Sequence, residues 1–143
     1  MILGINPYLV TNGNGQEAVK FYENALDAKV ESLQTFGGMP ENPEFPIPAE
    51  AKDRVLHAHL KIGNTDLMIS DTFPGQPDEV VGSQLTIAIH IQGAEKAEEV
   101  FAKLQDGGQV IMPLQETFWS PLYGQLKDKF GVQWQVSTAA CQQ

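Results

Sequence analysis

One pattern restricts this chain more than any other: an order of strand, helix and three strands is given twice, at an offset of about 80 residues. In the first copy, Ile2 to Thr11 is short, apolar and extended in character, and it ends in the turn-forming run Asn12-Gly13-Asn14-Gly15. From Gln16 to Leu26, Ala18, Phe21, Tyr22, Ala25 and Leu26 recur at intervals of three and four, which predicts a helix with one apolar side. Val30 to Phe36 reads as a strand. Arg54 to Ile62 and Thr65 to Ser70 read as two more, joined by Gly63-Asn64, a pair suited to a tight hairpin. The pattern then restarts: a strand over Leu85 to Ile91, a helix over Ala94 to Leu104 closed by Gly107-Gly108, and strands over Val110 to Met112, Thr117 to Gln125 and Gln133 to Ser137.

Two segments interrupt this order. Gly37 to Asp53 carries Pro40, Pro43, Pro46 and Pro48 and must be a long surface loop. Its Phe45 and Ile47 would gain by covering a cavity or a partner, so a lid or a dimer contact is expected there. Asp71 to Gly82, with Pro74, Gly75 and Pro77, reads as the connection between halves. The expected organisation is one α+β domain over 1–143 with modules at about 1–72 and 83–138. A ferredoxin-like sandwich would need a different strand count, and a continuous parallel sheet would need more helices.

Charge and composition exclude several functions. The formal charge of −9 repels nucleic acid and anionic membrane surfaces, so neither is an expected partner. Apolar runs are short and no signal peptide is evident, which leads to the expectation of a cytoplasmic protein. The single cysteine, Cys141, lies in a small and polar tail and reads as incidental. No nucleophile elbow or Ser, His, Asp order supports hydrolase chemistry. Asp66 and Asp71, which flank one hairpin strand, read as solvated turn residues rather than an acid/base pair.

Pro7-Tyr8-Leu9, Phe21-Tyr22, His57-Ala58, Leu67 to Asp71, Met112-Pro113-Leu114, Thr117-Phe118-Trp119, Tyr123-Gly124 and Asp128 to Trp134 occur in the order found in PhnB-like proteins. Over nearly its whole length the chain thus resembles the PhnB-like branch of the vicinal-oxygen-chelate (glyoxalase, bleomycin-resistance and dioxygenase) superfamily. Met112 to Trp134 is the specific part, and Ser120-Pro121 departs from the glycine usual after the tryptophan. The resemblance implies two βαβββ modules whose mixed sheets curl around a small-molecule cavity, and a homodimer. Uncovered sheet edges favour the same assembly. Some relatives carry a methyltransferase label, but no glycine-rich strand-to-helix loop followed by an acidic residue is present to support one.

Metal-dependent members of the superfamily bind a divalent ion through His, Gln or Glu on the cavity face of the first and last strand of each module. With Leu9, Thr11, Leu67, Ile69, Ile87, Ile89 and Ile91 read as core-facing, the corresponding positions are Asn6, Met68, Thr86 and Gln135. That set lacks the imidazoles and carboxylates that offset the loss of a metal's hydration. His57, His59 and His90 offer a rival metal reading, but His57, His59 and Lys61 alternating with Ala58, Leu60 and Ile62 also describe an ordinary half-buried strand. His57 is the better candidate for a polar contact or proton transfer. Trp134 reads as core.

The expected function is therefore small-molecule binding without metal or cofactor, with Tyr8, His57, His59, Met68, Trp119, Tyr123 and Gln135 lining the site. The alternative is a metal-dependent lyase, isomerase or dioxygenase acting on a small oxygenated or phosphonate-like metabolite.

Overall fold

A computed structural model describes residues 1–40, 43–44, 46–73, 85–117 and 120–138. The chain divides into two compact units, Met1–Val80 and Val81–Gln143. Each runs strand, helix, three strands: β1 (Tyr8–Thr11), α1 (Gly15–Leu26), β2 (Lys29–Thr35), β3 (Val55–Ile62) and β4 (Thr65–Asp71), then β5 (Ile87–Ile91), α2 (Ala94–Gln105), β6 (Gln109–Gln115), β7 (Tyr123–Lys127) and β8 (Gln133–Thr138). The strand orders are β1-β4-β3-β2 and β5-β8-β7-β6. In both sheets the first strand lies parallel to the last, and the other pairs are antiparallel. No helix among the described residues is long and apolar enough to cross a membrane.

The expected curling of the sheets around a cavity is corrected. Each sheet stops at four strands, and its outer strands have no further partner within the unit, so strand pairing does not bend it back toward itself. Element bounds shift too. β1 is only four residues long, because Pro7 has no amide to donate and the pairing with β4 begins at Tyr8↔Met68. Ile2, Leu3 and Ile5 before it are exposed. β6 extends to Gln115 through Pro113, which an edge strand with a register shift tolerates. β7 begins at Tyr123 rather than Thr117, since Thr117 is held in a turn by its bonds with Ser120. Ser120 is buried at that turn, its hydroxyl 2.6 Å from the Leu122 carbonyl and 2.9 Å from that of Thr138.

In the first unit, α1 buries Ala18, Val19, Tyr22, Ala25 and Leu26 over Ala58, Leu60, Leu67 and Ile69 of the sheet. In the second, Ala97, Val100, Phe101 and Leu104 of α2 meet Leu126, Trp134 and Val136. Alternation along each strand leaves the other face of each sheet without a helix. A bulge adjusts this alternation in β3: Gln34 pairs with His57 but Thr35 with Val55, so Leu56 is the extra residue and both Val55 and Ala58 point inward. The hairpin at Gly63-Asn64 forms as expected, with only Gly63 at positive φ.

Asp71 overturns its reading as a solvated turn residue: it is 4% exposed. Its Oδ1 accepts from Thr11 Oγ1 at 2.6 Å, from the Gly13 amide at 2.7 Å and from the Gly15 amide at 2.9 Å, while Oδ2 accepts from the Val55 amide at 2.7 Å. One carboxylate thus joins the end of β1, the N-terminus of α1 and the start of β3. Position 15 must be glycine because a Cβ there would lie 2.6 Å from Asp71 Oδ2. Asp128, 3% exposed, works similarly in the β7–β8 turn, accepting from the Phe130 and Val132 amides and from Trp134 Nε1 at 2.8 Å. That bond and 2% exposure bear out Trp134 as core.

The Gly37–Asp53 loop is closed at its base by Phe36 N–H to Arg54 O and Gly37 N–H to Lys52 O. Ile47 is half-buried, whereas Phe45 lies outside the described residues, as do Pro74, Gly75 and Pro77 of the connection and Cys141.

Replacing Asp71 with Asn removes one acceptor and the charge from a site with four donors. Urea unfolding is expected to show a loss of about 2–3 kcal/mol, the scale of an unsatisfied buried donor at a charged site. A loss within about 0.5 kcal/mol, the range of an ordinary surface change, would contradict this account.

Candidate functional site

The helix-free face of the first sheet carries Tyr8 and Val10 from β1, Asp66, Met68 and Ser70 from β4, and His57, His59 and Lys61 from β3. Tyr8 and His59 both pair with Met68, from its two sides. His59 Nε2 lies 2.8 Å from Asp66 Oδ1, and Lys61 Nζ is 3.6 Å from the same oxygen. The His59 hydrogen bond holds the Asp66 carboxyl below its ordinary value, opposed by desolvation and helped by the Lys61 charge. Tyr8 Oη stands 3.5 Å from His57 Nδ1, with the two rings 6.0 Å apart and tilted by 40°. At that length the contact is longer than an ordinary hydrogen bond.

The corresponding face of the second sheet carries a chain of neutral hydrogen bonds. Gln125 Nε2 donates to Tyr123 Oη at 2.9 Å, Tyr123 Oη to Gln135 Oε1 at 2.8 Å, and Gln135 Nε2 to Thr86 Oγ1 at 2.7 Å. His90 Nδ1 lies 3.0 Å from Ser137 Oγ. Sequence reasoning placed Thr86 only as a metal-ligand position and did not assign Gln125 to the site. Both follow from register once Gln125 is placed opposite Gln135 and the Asp128 turn fixes Lys127 opposite Gln133.

The two faces occupy equivalent positions. The parallel pairs end at Thr11↔Asp71 and Ile91↔Thr138, so Tyr8↔Met68 corresponds to Ala88↔Gln135. The antiparallel pairs Ala58↔Ile69 and Gly124↔Val136 match in the same frame. His57 therefore corresponds to Tyr123, His59 to Gln125 and Met68 to Gln135. The first face carries His57, His59, Asp66 and Lys61, whereas at the centre of the second the linked side chains Tyr123, Gln125 and Gln135 are neutral.

The structure thus brings Tyr8, His57, His59 and Met68 together on one face, and Tyr123 and Gln135 on the other. Trp119 lies outside the described residues. As a metal site the superfamily positions do not fit. Asn6 is exposed and precedes β1, Met68 offers a thioether, and the Gln135 amide is engaged by Tyr123 on one side and Thr86 on the other. The rival histidine set does not assemble either: among the described residues no three His, Cys, Asp or Glu side chains come together as a metal-holding group.

The family model described as Glyoxalase/Bleomycin resistance protein/Dioxygenase superfamily matches residues 4–136. Protein YjdN of Escherichia coli K12 is 31% identical over 139 residues, 93% of both chains. Among solved structures, protein PA1353 from Pseudomonas aeruginosa is 38% identical with a TM-score of 0.84, over 96% of this chain and 98% of that one. The PhnB protein from Bacillus cereus is 25% identical with a TM-score of 0.77, over 94% and 98%.

Because the Asp66 carboxyl is held low in the folded chain, its contribution to stability is present above the unfolded-state value and is lost as pH falls through the lowered one. The pair is partly exposed, so the effect on stability is small. Carboxyl-carbon NMR is expected to show Asp66 titrating below the ordinary range and moving back up in His59→Gln. An unchanged Asp66 titration in that variant would refute the assignment of His59 as the main cause.

Proposed function

This chain belongs to the Glyoxalase/Bleomycin resistance protein/Dioxygenase superfamily, in its PhnB- and YjdN-like part, and on that premise we propose that it binds a small molecule without the superfamily's divalent-metal centre. The observation that carries this reading is the chemistry at the ligand positions. Asn6, Met68, Thr86 and Gln135 provide no imidazole or carboxylate, and Gln135 and Thr86 are bonded to each other at 2.7 Å. A divalent ion there would have to give up hydration for neutral and weak donors. Without a Lewis acid, stabilisation of an enediolate or activation of oxygen has no group to perform it at these positions.

The helix-free faces support binding instead. They combine Tyr8, Met68 and Tyr123 as apolar and aromatic surface with His57, His59 and Gln135 as directional polar groups, the mixture by which small-molecule sites achieve orientation. The assembly that goes with this reading is a homodimer, because β1, β2, β5 and β6 each have an edge unpaired within their own unit.

Protein purified without a metal-affinity tag is expected to contain no stoichiometric divalent metal and to gain no glyoxalase activity on adding zinc, nickel or manganese. One tightly held ion per chain, lost on replacing His57 and His59 with Ala, would reverse this conclusion.

Sedimentation equilibrium at micromolar concentration is expected to give twice the 15.7 kDa chain mass. The chain mass alone at every accessible concentration would rule out the homodimer.

A further inference from the structure

The helix-free face of the first sheet has its charges unevenly committed. Its Asp66 carboxylate has Oδ1 2.8 Å from His59 Nε2 and 3.6 Å from Lys61 Nζ, so its charge is already partly offset by two neighbours. His57 is different. Around it stand Tyr8 and Val10 on β1, Met68 and Ser70 on β4, its register partner Gln34 on β2, and His59 on its own strand. Among the described residues, the Tyr8 hydroxyl stands 3.5 Å from His57 Nδ1.

The Tyr8 hydroxyl faces Nδ1 at 3.5 Å, and with the phenol as donor the ring takes the tautomer that has its hydrogen on Nε2. We infer that Tyr8 and His57 form a recognition pair for a small anionic ligand, in which Nε2–H of His57 donates to a carboxylate-type oxygen while Tyr8 holds the tautomer. The inference rests on the small-molecule reading above and adds the chemical class of the group bound. Met68, paired with Tyr8 and with His59 in the sheet, puts a half-buried thioether on the same face. An aryl or alkyl carboxylate therefore fits better than a bare inorganic ion. The overall charge of −9 opposes any anion at long range, but salt screens that field beyond about 8 Å at physiological ionic strength, leaving local donors to decide.

The test uses the full chain, benzoate as probe and benzyl alcohol as its uncharged counterpart, with NMR detection of the imidazole and Tyr8 signals in physiological salt. Benzoate is expected to shift the His57 Nε2 and Cε1 signals and to bind more tightly than benzyl alcohol. His57→Gln should weaken benzoate by about tenfold, the equivalent of one charge-assisted hydrogen bond. Lys61→Gln, which removes positive charge from the same face, should change it by no more than about twofold. Tyr8 is a positioning residue, so Tyr8→Phe should move the nitrogen shifts of free His57 toward a mixture of tautomers before any ligand is added.

Equal binding of benzoate and benzyl alcohol, or loss of benzoate binding in Lys61→Gln but not in His57→Gln, would overturn the pair. So would an unaltered His57 tautomer in Tyr8→Phe. If benzoate leaves this face undisturbed while neutral compounds from a screened set shift Tyr123 and Gln135, the anion-binding pair falls and the small-molecule reading stands. If nothing shifts either face, both fall.

Discussion

The first unit depends on one buried carboxylate. Asp71 ends β4, and its four donors belong to β1, to the turn before α1, to the first amide of α1 and to the first amide of β3. A helix begins with amides that have no partner inside it, and α1 has no side-chain cap from Asn14. The carboxylate provides an acceptor there and also places negative charge at the positive end of the helix dipole. The same contact sets how α1 leaves β1, and so which residues of β1 face the helix and which remain on the open side with Tyr8.

The second unit meets the same geometric need with different chemistry. Thr138 stands where Asp71 does, and its hydroxyl accepts from the Leu122 amide, just ahead of β7, as Asp71 accepts from Val55 at the head of β3. A buried carboxylate appears instead at the β7–β8 turn, where Asp128 organises the chain and takes the indole hydrogen of Trp134. In the first unit that turn is the two-residue hairpin at Gly63, which needs no such support. Equivalent strands are therefore held by unlike residues, in keeping with the low sequence similarity of the halves.

The same exchange decides what each open face offers a ligand. Histidines at 57 and 59 are matched by Tyr123 and Gln125, and Met68 by Gln135. One face carries an imidazole, an ion pair and a thioether, and the other a directional chain of neutral hydrogen bonds. Because hydrogen bonds in a chain polarise each other, the second arrangement is preorganised as a unit. Neither resembles a set of hard-metal ligands.

The sequence by itself determined the order of elements, the inward stripes of both helices, the alternation that puts His57 and His59 on one face, and the weakness of the donor set at Asn6, Met68, Thr86 and Gln135. These are local properties, legible because helices and strands repeat with fixed periods and because side-chain chemistry needs no coordinates. Tertiary structure decided the rest. Asp71 looks like any turn aspartate until β1, α1 and β3 bring four donors to it from residues distant in sequence. Gln125 and Thr86 join Gln135 only when strand register is known, and register depends on turns such as Asp128 to Gly131 whose conformation a side chain fixes. The length of β1 follows from where β4 offers partners. The openness of the sheets reflects which strands find neighbours, a long-range outcome that no local pattern encodes.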